Sequence, residues 1–193
     1  MTLIDACKQN GYVMDRDNEE AVTAVCKYFQ QDNSKGLLLM GYYGTGKTWL
    51  MRLVNEFVSP VRIVSTEQIL KDTIMAGEVP NKYLEQMHVY NLIRAAILAE
   101  EARLPYCFDE LGGHNDRKLN IYGNEIYPMS LILKAHYEKN IKCHAITNYN
   151  LEYLEKLYGG EGLLDSPPMV FFSLSSAKSF VEKLKKGNVY HTI

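Results

Sequence analysis

Residues Gly41 to Thr48 read GYYGTGKT and decide the fold of this chain. They follow the pattern G-x-x-x-x-G-K-[ST], in which glycines bring backbone N–H groups close to phosphate oxygens because no Cβ stands in the way. Such N–H groups lie at the start of a helix, whose dipole also favours negative charge. Lys47 can reach the β- and γ-phosphates of a nucleoside triphosphate, and Thr48 can ligate Mg²⁺. The pattern therefore predicts a P-loop.

The residues on either side of this loop favour the same interpretation. Residues 36–40 (GLLLM) are a short apolar run that predicts a buried strand, and residues 48–57 predict a helix. The alternative is a glycine-rich turn that matches the pattern by chance, and the flanking strand and helix argue against it. The residues expected to contact the nucleotide are Gly41, Tyr42, Tyr43, Gly44, Thr45, Gly46, Lys47, Thr48 and Trp49.

The composition is that of one globular domain. The 193 residues suffice for a single core, and 47% of them are hydrophobic and 23% charged. The net charge of −2 gives no general attraction to nucleic acid or membranes, although it does not exclude a local basic patch. No apolar stretch approaches the length of a membrane span, and the first residues lack the apolar core of a signal peptide. We expect one domain over residues 1–193 and no membrane contact.

Cysteine and histidine usage indicates a cytoplasmic protein without a structural metal. The four cysteines, Cys7, Cys26, Cys107 and Cys143, show no C-x-x-C spacing, and the last two lie in apolar runs. We expect reduced core thiols at those two positions. The five histidines are scattered, without a ligand motif such as H-E-x-x-H.

Helical and extended patterns alternate along the chain. Alternation of this kind implies an α/β fold with a five-stranded, mainly parallel sheet that is covered on both faces. Such a sheet binds its ligand at the carboxyl ends of its strands, where the P-loop would lie. Helices are expected at about 18–31, 48–57, 65–74, 82–102, 124–139, 151–158 and 177–186, and strands at 36–40, 61–64, 104–108, 141–147 and 169–174.

Two acids follow the apolar run at 104–108. Asp109 is placed to hold Mg²⁺ through its water shell, and Glu110 is placed to activate the attacking water as a general base. The alternative is a solvated acid pair after an edge strand. The distance from the P-loop and the apolar run before the acids favour the catalytic interpretation.

An amide ends the next expected strand. Asn148 could hydrogen-bond the γ-phosphate and the attacking water. Alternatively it caps the following helix, since Asn148 and Asn150 both precede Leu151. Thr147 is the second choice for the phosphate contact.

Three segments resemble, in order and spacing, the AAA+ ATPases of the DnaC/IstB type. They are GLLLMGYYGTGKTWL, CFDELGG and HAITNYNLEYLEKLYG, and the likeness covers roughly residues 20–175. These ATPases are bacterial and phage helicase loaders and transposition helpers. The resemblance implies a P-loop NTPase three-layer sandwich of the additional-strand type, with sheet order 5-1-4-3-2. It also implies ATP-dependent assembly into a homo-oligomer on single-stranded DNA, and a replicative helicase or transposase as partner.

The chain departs from this family in its arginines and its termini. Family members usually carry an arginine on the segment that corresponds to 159–165, which reads GGEGLLD here. Lys156 or Arg117 could substitute, although lysine is a poorer bidentate phosphate clamp. Residues 1–17 form only a short lead-in before the first expected helix, and 175–193 a short helix in place of a full lid. No arginine follows residue 117, since the six arginines are Arg16, Arg52, Arg62, Arg94, Arg103 and Arg117.

Features for contact with DNA are sparse. Lys183, Lys185 and Lys186 form one basic cluster and Arg117-Lys118 another, but a solvated helix face is the favoured explanation of both. The P-loop tyrosines could stack on a base or on adenine, or they could be half-buried packing residues.

These patterns together predict a Mg²⁺-dependent ATPase, with Lys47, Glu110 and Asn148 as its catalytic residues. The missing late arginine predicts low intrinsic activity, with full activity in an oligomer or with a partner. One alternative is a nucleotide-binding adapter with little or no hydrolysis. The other is a small-molecule or nucleotide kinase, which the absence of late arginines disfavours.

Overall fold

The structure is a computed structural model that describes residues 2–14, 18–31, 36–77, 104–114, 116, 119–121, 124–126, 128–138, 141–158 and 169–173. Its helices are α1 (Leu3–Gln9), α2 (Glu19–Gln30), α3 (Lys47–Phe57), α4 (Thr66–Gly77), α5 (Pro128–Glu138) and α6 (Leu151–Tyr158). Its strands are β1 (Gly36–Met40), β2 (Arg62–Ser65), β3 (Tyr106–Asp109), β4 (Leu119–Ile121), β5 (Asn124–Ile126), β6 (Cys143–Thr147) and β7 (Met169–Ser173).

The main sheet runs in the order β2-β3-β6-β1-β7, and its neighbouring strands pair in parallel. Met40 lies opposite Thr147, and Ser65 lies opposite Asp109. The carboxyl ends of these strands therefore meet at one edge of the sheet. The expected α/β fold with a mainly parallel sheet is confirmed.

Helices cover both faces of this sheet because its inner strand β1 is apolar on both. Leu37 and Leu39 of β1 join a buried cluster with α1, α2 and α3. Leu38 points the other way and joins a second cluster with α4, α5 and α6. Alternate residues of a strand point to opposite faces, so one short apolar run supplies both cores.

The lead-in at 1–17 contains a helix that the sequence patterns did not predict. The side chain of Thr2 accepts from the backbone N–H of Asp5, and the Asp5 carboxylate accepts from the backbone N–H of Thr2. This reciprocal capping box starts α1 and offsets the weakness of so short a helix. Leu3 and Cys7 of α1 are buried against α3 and the sheet, which stabilises the helix through packing.

The helix expected over 124–139 is wrong at its start. β4 and β5 form an antiparallel pair in which Ile121 lies opposite Asn124. These two strands form a small sheet separate from the main one. The helix α5 begins after it at Pro128, since proline is tolerated in the first turn of a helix.

The other predicted boundaries that fall on described residues agree within three residues. The helices expected at 82–102 and 177–186 and the C-terminal segment 175–193 lie outside the described residues. Among the helices that the structure does describe, none combines the length and the apolar character needed to cross a membrane.

All four cysteines are buried and free. Burial raises the pKa of the Cys143 thiol to about 12 and that of Cys26 to about 11. Because the thiolate is the reactive form, these two side chains act as small apolar core residues.

Candidate functional site at the carboxyl edge of the sheet

The predicted P-loop connects β1 to α3. Gly46 is the N-cap of α3, and its φ of 82° lies in the left-handed region that favours glycine. The carbonyl of Gly46 accepts the first helical hydrogen bond from Leu50, at 2.8 Å. The strand, loop and helix therefore follow one another as the sequence predicts, with α3 beginning one residue early, at Lys47.

The Lys47 ammonium is buried inside the loop. It donates to the carbonyl oxygens of Gly41 (2.8 Å) and Tyr42 (2.7 Å) and to the hydroxyl of Thr45 (3.2 Å). A fourth contact joins it to Oδ1 of Asn148, at 2.8 Å. Burial lowers the pKa of Lys47 to about 8, and the nearby Asp109 carboxylate offsets part of this effect. The ammonium is thus held among neutral acceptors, where an anion would stabilise its charge.

The two residues predicted to hold Mg²⁺ are in direct contact. The Thr48 hydroxyl lies 3.0 Å from Oδ2 and 3.2 Å from Oδ1 of Asp109. The contact joins the start of α3 to the end of β3, across 61 residues of sequence. A hydroxyl and a carboxylate are the hard oxygen ligands that Mg²⁺ prefers, so the pair fits this ion.

Asn148 belongs to the site, and its neighbour Asn150 caps the helix. Oδ1 of Asn150 accepts from the backbone N–H of Tyr153 in the first turn of α6, at 2.9 Å. Asn148 instead accepts from Lys47. Thr147 is buried and donates to the carbonyl of Leu111, at 2.7 Å, so its hydroxyl is engaged away from the loop.

Glu110 directly follows β3 and has an unusual backbone. Its φ is 61°, although it is not glycine. Its carbonyl accepts from the Thr66 hydroxyl (3.1 Å) and from the backbone N–H of Gly113 (2.9 Å), while its own N–H donates to Asp109. A left-handed conformation costs such a residue roughly 1–2 kcal/mol, and these bonds offset that cost. The Glu110 side chain is exposed at the carboxyl edge of the sheet.

Aromatic side chains surround the mouth of the site. Tyr42 and Tyr43 are 74% and 73% exposed, so neither is a half-buried packing residue, and Trp49 is 51% exposed. The side chain of Tyr43 lies close to that of Tyr149, whose ring stacks on Tyr153 with 4.4 Å between the centroids. These rings form a polarisable surface beside the P-loop.

Tyr12 supports the P-loop from the N-terminal segment, and the sequence patterns missed it. Its side chain is only 9% exposed, and its hydroxyl contacts the carbonyl of Thr45 at 3.4 Å. The nearest ring atom would lie 2.8 Å from a Cβ added to Gly46. The Thr2–Asp5 capping box was the one available signal, because it predicts the helix that leads to Tyr12.

This contact makes Gly46→Ala more harmful to stability than Gly44→Ala. Both glycines have a φ near 80°, but a Cβ on Gly44 would meet nothing within 4 Å. Either alanine adds a backbone cost of about 1–2 kcal/mol, and the Tyr12 clash adds roughly 1–3 kcal/mol for Gly46→Ala alone. Urea unfolding of the two variants and of wild type measures the difference. Equal losses in the two variants would show that Tyr12 does not brace the loop.

Among the residues that the structure describes, no group of three or more histidine, cysteine, aspartate or glutamate side chains could hold a metal ion. Mg²⁺ sites that also use substrate phosphates need only one or two protein ligands, so Thr48 and Asp109 suffice.

The segment 159–165 lies outside the described residues. So do the basic residues predicted to contact DNA or to substitute for the arginine, apart from Lys156; these are Arg117, Lys118, Lys183, Lys185 and Lys186.

Lys156 lies on α6 and pairs with Glu152 at 2.9 Å. Both side chains are largely exposed, so this pair contributes little to stability. The structure therefore places the lysine on a solvated helix face.

The sequence matches no protein-family model, and no curated protein shows significant similarity to it.

Proposed function

We propose that this chain is a Mg²⁺-dependent ATP-binding and hydrolysing protein. The observation that carries the proposal is the contact between Thr48 and Asp109 beside the buried ammonium of Lys47. It supports a site in which a phosphate-binding lysine and two oxygen ligands meet at the start of a helix.

The P-loop residues supply the binding of the triphosphate. Backbone N–H groups at the start of α3 and the helix dipole attract phosphate oxygens. Lys47 now donates to neutral acceptors of the loop, and a phosphate would replace some of these contacts with stronger charged ones. Thr48 and Asp109 would hold Mg²⁺, which neutralises charge on the β- and γ-phosphate oxygens when it is bound.

Glu110 and Asn148 supply the groups for attack by water. Glu110 is exposed at the carboxyl edge, where it can accept a proton from a water molecule as that water attacks the γ-phosphorus. The bond to the β,γ-bridging oxygen breaks, and ADP and phosphate leave. The Asn148 amide can accept from Lys47 while its NH₂ group donates to a phosphate oxygen or to the water.

The sheet order supports the finer assignment to the AAA+ type. When the parallel strands are numbered along the chain, β2-β3-β6-β1-β7 becomes 2-3-4-1-5, which read from its other end is 5-1-4-3-2. The resemblance to the DnaC/IstB group implies this order. Helices on both faces also fit a three-layer P-loop NTPase sandwich with five strands.

The partners follow from the resemblance. We propose a cytoplasmic accessory ATPase of DNA replication or transposition that acts with a replicative helicase or a transposase. It would assemble as a homo-oligomer on single-stranded DNA. Low intrinsic activity is expected to rise in that assembly, because an arginine from a neighbour or partner is worth about 10³–10⁵ in rate.

The kinase alternative receives no support from the arginines that the structure describes. Arg62 opens β2, and its guanidinium lies 5.3 Å from the centroid of the Tyr106 ring and donates to the Tyr106 hydroxyl. This position is at the amino edge of the sheet, opposite the P-loop. Arg52 is an exposed residue of α3.

Phosphate release without an acceptor substrate tests the proposal. Purified protein with ATP and Mg²⁺ is expected to produce ADP and inorganic phosphate in equal amounts, and EDTA should stop the reaction. Tight ATP binding without phosphate release, alone or with single-stranded DNA, would instead identify the adapter. ADP formed only when a small-molecule acceptor is added would identify a kinase.

ATP binding is also expected to take up a proton at alkaline pH. Free Lys47 has a pKa of about 8, and bound phosphates raise it because they favour the charged form. At about pH 9 most free Lys47 is neutral and binding protonates it, whereas at about pH 7 it is already charged. Calorimetry in two buffers of different ionisation enthalpy measures the uptake at each pH. Equal apparent enthalpies in both buffers at alkaline pH would exclude Lys47 as the responding group.

A further inference from the structure

A buried carboxylate and a buried tyrosine lie behind the loop that carries Glu110. Asp116 is 6% exposed, and Tyr158, the last residue of α6, is 4% exposed. The Tyr158 hydroxyl donates to Oδ2 of Asp116. The backbone N–H of Gly112 lies between them, 2.9 Å from that same Oδ2 and 3.0 Å from the Tyr158 oxygen. Three polar groups thus meet in an otherwise apolar interior.

Gly112 allows α6 to pack directly on this loop. Its φ is 76°, and a Cβ added to it would lie 2.6 Å from Cδ2 of Leu154. The backbone at Gly112 therefore touches the helix and cannot move toward it. The hydrogen bonds of Asp116 and Tyr158 also fix the orientation of the Gly112 peptide, because hydrogen bonds are directional and apolar contacts are not.

The polar group at Asp116 is expensive to bury. Burial raises the pKa of Asp116 to about 6, although the Gly112 hydrogen bond lowers it in part. An apolar side chain of similar size would avoid this cost. The gain from the carboxylate is therefore geometric, since it orients one N–H and one O–H.

This network lies two residues from the proposed general base. Glu110 is held in a left-handed conformation, and each of the next two residues forms hydrogen bonds through its backbone. Leu111 donates to Ile146 at 2.8 Å and accepts from Thr147 at 2.7 Å, which ties it to the end of β6. Gly112 is then tied to α6.

We propose that Asp116 and Tyr158 are positioning residues that hold Gly112 against α6 and thereby keep Glu110 aimed at the attacking water. The proposal rests on the ATPase function proposed above. Because α6 begins three residues after Asn148, the same helix follows one of the residues proposed to act on the water and contacts the loop that carries the other.

Tyr158→Phe tests the proposal, since it removes the hydroxyl and keeps the ring in the core. We expect kcat to fall about tenfold, which corresponds to about 1.4 kcal/mol, while the Kd for an ATP analogue stays the same because the P-loop is untouched. The control is Tyr106→Phe, which removes the hydroxyl of another buried tyrosine at the amino edge of the sheet and should leave kcat at the wild-type value.

A second pair of variants separates positioning from packing. Asp116→Asn retains an acceptor oxygen for Gly112 and Tyr158, whereas Asp116→Leu removes it. We expect the asparagine variant to keep more of the wild-type kcat than the leucine variant, provided that both bind the ATP analogue. Equal kcat values in the two variants would overturn the proposal.

Amide exchange of Gly112, followed by NMR in the free protein, provides a readout that does not depend on activity. Tyr158→Phe should speed this exchange relative to wild type and to Tyr106→Phe. Unchanged exchange with unchanged kcat would overturn the positioning role and leave the ATPase assignment standing. Loss of ATP analogue binding in proportion to kcat would also overturn it, because it would indicate general damage. Absence of hydrolysis in wild type itself would instead refute the function on which the proposal rests.

Discussion

Glu110→Gln is expected to lower ATP turnover by about 10²-fold or more while ATP affinity stays at the wild-type value. The amide has the shape of the carboxylate but is a far weaker base, and the side chain is exposed, so the fold should tolerate it. Phosphate release under single-turnover conditions measures the rate, and titration with a fluorescent ATP analogue measures the affinity. Glu56→Gln, an exposed change on α3, removes the same charge away from β3 and should leave both values unchanged.

Equal turnover in Glu110→Gln and wild type would remove Glu110 from the chemistry. A loss of affinity that matches the loss of turnover would also count against the assignment, because a general base acts in the transition state and not in ground-state binding. In that case Glu110 would be part of the binding site.

Lys47→Ala is expected to abolish measurable ATP binding. The variant deletes a buried ammonium that would meet the β- and γ-phosphates, and each hydrogen bond to a charged group contributes about 1.5–3 kcal/mol. Two such bonds correspond to a loss of affinity of about 10²-fold or more. Titration with a fluorescent ATP analogue measures the change.

Lys71→Ala is the matched control for this variant. Lys71 carries the same charge on α4 and pairs with Glu67 at 2.7 Å, but its side chain is 60% exposed. Its removal should leave the fold intact, because exposed ion pairs contribute about 0–1 kcal/mol to stability. We therefore expect little change in ATP affinity. If Lys47→Ala bound the analogue as tightly as Lys71→Ala, residues 41–48 would not be a phosphate-binding loop.

The sequence was sufficient for the parts of the fold that depend on local patterns. Gly36–Met40 is apolar at every position after the glycine, which predicts a strand buried on both faces, and the structure confirms that burial. The acids at and just after the end of β3 and the amide after β6 were placed at one sheet edge by the rule for parallel strands. The spacing along the chain thus predicted that Thr48, Asp109 and Asn148 would lie near Lys47.

The sequence did not reveal contacts that depend on the tertiary structure. Tyr12 reaches Gly46 only because α1 packs on α3, and no periodicity links residue 12 to residue 46. Asp116 and Tyr158 meet across 42 residues in a buried polar network, whereas an isolated aspartate and tyrosine usually indicate surface positions. Geometry also chose between Asn148 and Asn150, since either amide was a plausible cap.

Isothermal titration of the wild-type chain with ATP and Mg²⁺ tests whether this chain binds the nucleotide through residues 41–48. We expect one ATP per chain at about pH 7, weaker binding when EDTA removes Mg²⁺, and no heat of binding with Lys47→Ala. The absence of any saturable binding to folded wild-type protein at millimolar ATP would contradict this expectation.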